Sequence, residues 1–130
     1  MLKSVVSIAV VAVSLSFVAP AQASVESELQ NICTIVKADD KGQLRKKLSN
    51  VQKNFKLKLQ DYYTGISCGG ESLIRTAFIS GSIETGSLLV KKMPKSQLNS
   101  PEADGKTLRA WVADNNLMGS PIAEVLNERI

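Results

Sequence analysis

The sequence predicts a mainly α fold made of stacked helical hairpins, about two to three of them, and three observations predict it. Apolar residues recur at the 3, 4, 7 spacing of amphipathic helices through most of the chain. Clusters of turn formers separate these stretches. The segment Gly70-Glu71-Ser72-Leu73 returns as Gly105-Lys106-Thr107-Leu108, 35 residues on, and a period in this range marks a helical-hairpin array.

The chain opens MLKSVVSIAVVAVSLSFVAPAQAS, with one cation at Lys3, no charge from Val5 to Val18, and Ala21-Gln22-Ala23 after Pro20. A charged start, an apolar middle and small residues at the cut are the order of a signal peptide, here residues 1–23, with cleavage before Ser24. The apolar run is shorter than the roughly 20 residues that a spanning helix needs, and no later segment could cross a bilayer. Residues 24–130 are then expected to be a single small helical domain, exported and periplasmic. Loss of Lys3 with the leader lowers the formal net charge of +4 by one, which leaves a mild basic bias.

In the first hairpin, Leu29, Ile32, Cys33 and Val36 make one helical face, Ala38 to Gly42 break the pattern, and Leu44 and Leu48 resume it. Further on, Phe55, Leu57 and Leu59 alternate with Lys56, Lys58 and Gln60. That is the period of a half-buried strand near 54–60, and an extended loop laid across helices gives the same pattern. Leu73, Ile74, Ala77 and Phe78 begin a second hairpin, whose other helix carries Ile83, Leu88, Leu89 and Met93 and ends at Pro94. A linker from Lys95 to Gly105 leads to Leu108, Trp111 and Val112. The last helix starts at Ser120-Pro121, a cap followed by proline in the first turn, and carries Ile122, Val125 and Leu126. Leu89 and Leu126 lie 37 residues apart, so the second copy of the repeat is expected to hold about two extra residues in its turn.

Glycine, any residue, Ser or Thr, then Leu ahead of a helix resembles the ankyrin repeat, with the helix pair around Cys33 and Leu48 as a degenerate first copy. A second resemblance covers roughly residues 26 to 80. Ile32-Cys33, a lysine-rich middle and Cys68-Gly69 before a helix resemble small exported bacterial proteins whose domain has no assigned function, although that pattern usually has asparagine where this chain has Gly69. The resemblance implies no activity.

Catalytic chemistry finds little material. The chain has no histidine and two cysteines, so His-dependent triads and the usual zinc sites cannot be built, and no cofactor or metal is expected. Cys33 and Cys68 are expected to bond in an oxidising compartment, at a gain on the order of 3 to 4 kcal/mol. The alternatives are free inert thiols, or a thiol-dependent redox protein or enzyme centred on Cys68, whose thiol would be activated by the helix that follows. The carboxylates of Asp39, Asp40 and Glu71 could do acid/base work, but turns and helix starts use such residues structurally.

Between Lys41 and Gln60 lie seven cations and no acid: Lys41, Arg45, Lys46, Lys47, Lys53, Lys56 and Lys58. Lys91, Lys92 and Lys95 are candidates to join this face. The plain reading is a solvated helix surface; the functional one is docking of a protein or an anionic component of the cell envelope. Nucleic acid is not expected, since Phe55 is the only aromatic in the run and export removes the chain from most nucleic acid. The expected function is therefore that of a small exported binding protein rather than an enzyme.

Overall fold

Short polar side chains and left-handed residues set the helix boundaries. A computed structural model describes residues 20–130, and over them the chain forms α1 (Pro20–Lys37), α2 (Lys41–Phe55), α3 (Leu59–Tyr62), a 3-10 turn (Tyr63–Gly65), α4 (Leu73–Ser80), α5 (Ile83–Lys92), α6 (Lys95–Leu98), α7 (Leu108–Asp114) and α8 (Pro121–Arg129). Asp40, Ser72, Thr107 and Ser120 cap α2, α4, α7 and α8 by accepting a backbone N–H from within the first turn. The leader reading of residues 1–23 lies outside the described residues except for the last four, which belong to α1.

The helices pair into three hairpins, α1 with α2, α4 with α5, and α7 with α8, and the hairpins stack. Second helices meet in one row, α2 on α5 and α5 on α8. First helices meet in the other: α1 packs on α4, and Phe78 and Arg75 of α4 meet Trp111 of α7. Between the rows lie Ile32, Val36, Leu44, Leu73, Leu89, Leu108, Ile122 and Leu126, each almost wholly shielded from solvent.

The repeat holds at the level of caps and turns. Ser72 and Thr107 cap alike, Leu73 and Leu108 are both buried, and Gly81 (φ 66°) and Asn116 (φ 57°) both take the left-handed conformation that ends a helix. The caps Ser82 and Ser120 are 38 residues apart, so the last turn is longer by three residues rather than about two.

No strand forms among the described residues near 54–60. Phe55 extends the helical series Leu44, Leu48 and Val51, so α2 runs through the first of the alternating residues. Lys56 (φ 60°) then breaks the helix, and the Lys58 N–H donates to Asp61 Oδ2 at 2.8 Å to start α3 at Leu59. The alternation arises because two helix ends and the loop between them each send one residue to the core. Leu59 is buried, while Phe55 and Leu57 are partly so. A strand would also need an edge to pair with, and the chain around it is helical.

Cys33 of α1 and Cys68 are joined in a disulfide with Cα atoms 5.6 Å apart. Cys68-Gly69-Gly70-Glu71 is a tight turn in which the Cys68 N–H donates to the Glu71 carbonyl at 2.7 Å. Gly69 (φ 65°) and Gly70 (φ 94°) both sit at positive φ, as a type I′ turn requires, and this explains the glycine pair. Asp39 and Asp40 likewise have structural partners. Asp40 caps α2, and Asp39 Oδ1 accepts the Thr85 N–H at 2.8 Å, binding the first hairpin to α5.

Candidate functional site

Two surfaces carry polar groups in a concentrated arrangement, one basic and one acidic. On the basic one, Arg45, Lys46, Lys53, Lys56 and Lys58 are exposed and have no carboxylate within ion-pair distance among the described residues. The other two cations of the run are engaged. Lys41 lies 3.7 Å from Glu84, with both side chains exposed, a contact worth little in water. Lys47 sits 2.7 Å from Glu28 and is only 18% exposed, so it belongs to the α1–α2 interface rather than to a free surface.

Arg45, Ser49 and Gln52 of α2, Lys58 with Leu59 and Gln60 at the start of α3, and Leu88 with Lys92 at the end of α5 line a groove of about 440 Å³. Beside it Ser49, Gln52, Lys53, Lys56 and Lys58 line a shallower depression. No acid lines either one. Lys92 thus joins the face, whereas Lys91 and Lys95 line neither groove. The sequence could not place Lys92, because its neighbours on the groove come from helices more than thirty residues earlier in the chain.

The acidic surface surrounds Arg75, a cation 5% exposed on α4. Its Nη1 and Nη2 donate to the two carboxylate oxygens of Asp104 at 2.7 and 2.9 Å, and Nη2 also donates to the Lys106 carbonyl at 3.2 Å. Nε lies 2.8 Å from Glu102 Oε1 as an ion pair whose N–H is not aligned as a hydrogen bond. Glu71 is 3.8 Å from Nη1, and the guanidinium carbon stands 5.1 Å from the centre of the Trp111 ring. One guanidinium therefore fastens the 102–106 loop to α4 and to α7. Its fork, with the Lys106 N–H, holds the Asp104 carboxyl well below the usual carboxylate range.

Tyr63 completes the network. Its hydroxyl donates to Glu102 Oε2 at 2.7 Å and lies 2.9 Å from Ser72 Oγ. Burial, then the negative charge of Glu102, raise its pKa well above the ordinary 10. Neighbouring Tyr62, whose hydroxyl is buried without a partner, is raised to about 12 by burial and then by Asp61. A cavity of about 550 Å³ opens above this network, lined by Tyr63, Ile66, Ser72, Arg75, Pro101, Glu102, Asp104 and Trp111 among others.

Sequence reading named Glu71, and placed Trp111 only on a helix face, but missed Arg75, Tyr63, Glu102 and Asp104 as a unit. The one available signal was an arginine set among the apolar residues of α4. Cys68 does not line this cavity, although Ser67 and Gly70 do, and it is disulfide-bonded, with no free cysteine among the described residues. No group of metal-ligating side chains is found among them either.

No curated protein and no solved structure matches the chain. A family model described as a protein of unknown function (DUF3718) matches residues 32–100, more than half of the length. That segment contains both cysteines, α2 to α6 and every residue of the basic groove, and by this match the chain belongs to the DUF3718 family of proteins of unknown function.

Proposed function

We propose that the chain is an exported binding protein of the bacterial cell envelope, a degenerate ankyrin-like stack that docks a protein or other anionic envelope component through the basic face of α2. The observation that carries this reading is the pairing pattern. Five of the seven cations between Lys41 and Lys58 have no acidic partner among the described residues, and four of the five, Arg45, Lys53, Lys56 and Lys58, line the two grooves, one of which Lys92 also lines. Unpaired like charges on one face repel one another, and an anionic partner relieves that repulsion. Stacked hairpins supply the rigid support without chemistry of their own.

The test is capture from envelope extracts at low salt, repeated with Arg45, Lys53 and Lys58 reversed to Glu and again at high salt. Lys47 is left in place, since a glutamate there would face Glu28 and confuse unfolding with loss of binding. Binding should fall in both arms, because the Debye length drops from roughly 10 Å at 0.1 M salt to about 3 Å at 1 M. Capture indifferent to both would move the search to the cavity beside Trp111, a second reading supported by its volume and its buried arginine. Thiol chemistry at Cys68 requires the bond to Cys33 to be open. A free-thiol count on the exported protein decides that alternative.

A further inference from the structure

The groove between α2, α3 and α5 brings together three cations that the chain supplies from three separate elements: Arg45, Lys58 and Lys92. Ser49, Gln52 and Gln60 add a hydroxyl and two amides, and Leu48, Leu59 and Leu88 form the floor. A guanidinium fork, two ammonium groups and neutral donors over an apolar base suit a compact, multiply charged oxyanion. A phosphate monoester fits this description, carrying about −1.5 to −2 at neutral pH and three acceptor oxygens. A carboxylate or a phosphate diester would leave at least two of the three cations uncompensated.

Around the groove, Lys46, Lys53 and Lys56 remain free along a helix roughly 22 Å long at 1.5 Å per residue. One soluble phosphate cannot engage that length, whereas a surface presenting many anionic headgroups can. Among the described residues, the large apolar ones left exposed, Ile79, Ile83 and Met118, lie at the hairpin turns, with Ile83 at the opposite end of α5 from Lys92. Contact through the basic face would therefore be electrostatic, without an apolar anchor, and each basic residue near an anionic bilayer contributes about 1 kcal/mol.

We propose that this groove is a phosphomonoester headgroup site by which the chain docks on an anionic lipid surface, an inference that rests on the basic-face reading above and names its ligand. The experiment is vesicle co-sedimentation of the exported chain, residues 24–130, without its apolar leader. Vesicles of phosphatidylcholine carrying phosphatidic acid are compared with vesicles carrying phosphatidylglycerol at matched surface charge, and inorganic phosphate is titrated separately. Binding to the phosphatidic acid vesicles should be the stronger. The double substitution Arg45→Gln, Lys92→Gln should weaken it about tenfold, equal to roughly 1.4 kcal/mol. Lys37→Gln, a charge removed from the end of α1, should change it less than about twofold, and thermal melts should show all variants folded.

Equal binding to both lipids, or indifference to Lys92→Gln while reversal of the α2 cations still abolishes capture, overturns the groove and leaves the basic-face reading standing. Inorganic phosphate binding as tightly as the vesicles overturns the lipid source. No vesicle binding alongside salt-sensitive capture of an envelope protein also sinks the proposal, and failure of vesicles and capture together sinks both.

Discussion

Arg75 shows how one residue organises a surface. Burying a guanidinium is tolerable here because each end of the fork has an acceptor and the ring of Trp111 covers one face. Arg75→Met keeps the bulk but strands Glu102, which is 12% exposed. The loss should be about 2 kcal/mol in a denaturant titration, less than a fully buried pair would give, because Asp104 and Glu71 stay in contact with water. The sign with pH follows from Asp104. Its carboxyl is lowered in the fold, so its contribution is present above the ordinary carboxylate pKa and fades as pH falls below about 4. That acid limb should be shallower in Arg75→Met; an unchanged limb would mean that other carboxylates control it. The tyrosines give the opposite sign. Tyr62 and Tyr63 are the chain's only two, and both are raised, so their contribution is present below pH 10 and is lost as the pH rises above it. Phenolate absorbance should stay flat near pH 10 in the native protein and rise there in guanidinium; a native step near 10 would show that these hydroxyls are solvated. Little of this was legible locally, because the two acids closest to Arg75, Glu102 and Asp104, are 27 and 29 residues away.

Among the elements, α5 is the one most tightly enclosed, packing on α2, α4 and α8. Gly86 marks the closest approach. A Cβ there would lie 2.6 Å from Ile122 Cδ1 and 3.0 Å from Ala77 Cβ. Ile122 could swing its terminal methyl away, but the Ala77 methyl can move only with its helix. Gly86→Ala should therefore destabilise by roughly 1 to 3 kcal/mol from overpacking, against about 1 kcal/mol of helix propensity regained. A denaturant midpoint equal to or above that of the parent would show that α5 and α8 have slack. Sequence periodicity identified α5 and its hairpin partner α4, since Leu88, Leu89 and Met93 on the one and Leu73, Ile74, Ala77 and Phe78 on the other are spaced for one face. It misjudged α2 for a definite reason. Lysines at alternate positions beside Phe55, Leu57 and Leu59 imitate a strand when a helix ends, turns through a left-handed residue and starts again within four residues. The short α3 and the 3-10 turn after it, with the buried Tyr62 and Tyr63, passed unnoticed because four residues are too few to show a helical period.

For the whole molecule, the repeat and the charge pattern have different origins. The repeat was visible in the sequence, because caps and left-handed turns recur at a fixed offset and depend on local residue types: Ser72 with Thr107, and Gly81 with Asn116. The network around Arg75 was not, and the basic face showed only as the run from Lys41 to Lys58, because each surface also draws on hairpins distant in the chain. The family match ends at residue 100, before the loop that supplies Glu102 and Asp104 and before all of α7 and α8. Whether the third hairpin is an appendage or part of one cooperative unit follows from what it covers. Without it, the Gly86 face of α5 loses Ile122, Phe78 loses the Trp111 edge, and Arg75 loses Glu102, Asp104 and the Trp111 ring that cover it. Stacked hairpins derive much of their stability from the interfaces between neighbours. A chain ending at Ser100 should therefore show no cooperative thermal transition by far-ultraviolet circular dichroism, although the disulfide between Cys33 and Cys68 is retained. Melting at an unchanged temperature would mean that the first two hairpins already form a closed core, and that α7 and α8 serve only to complete the cavity beside Trp111.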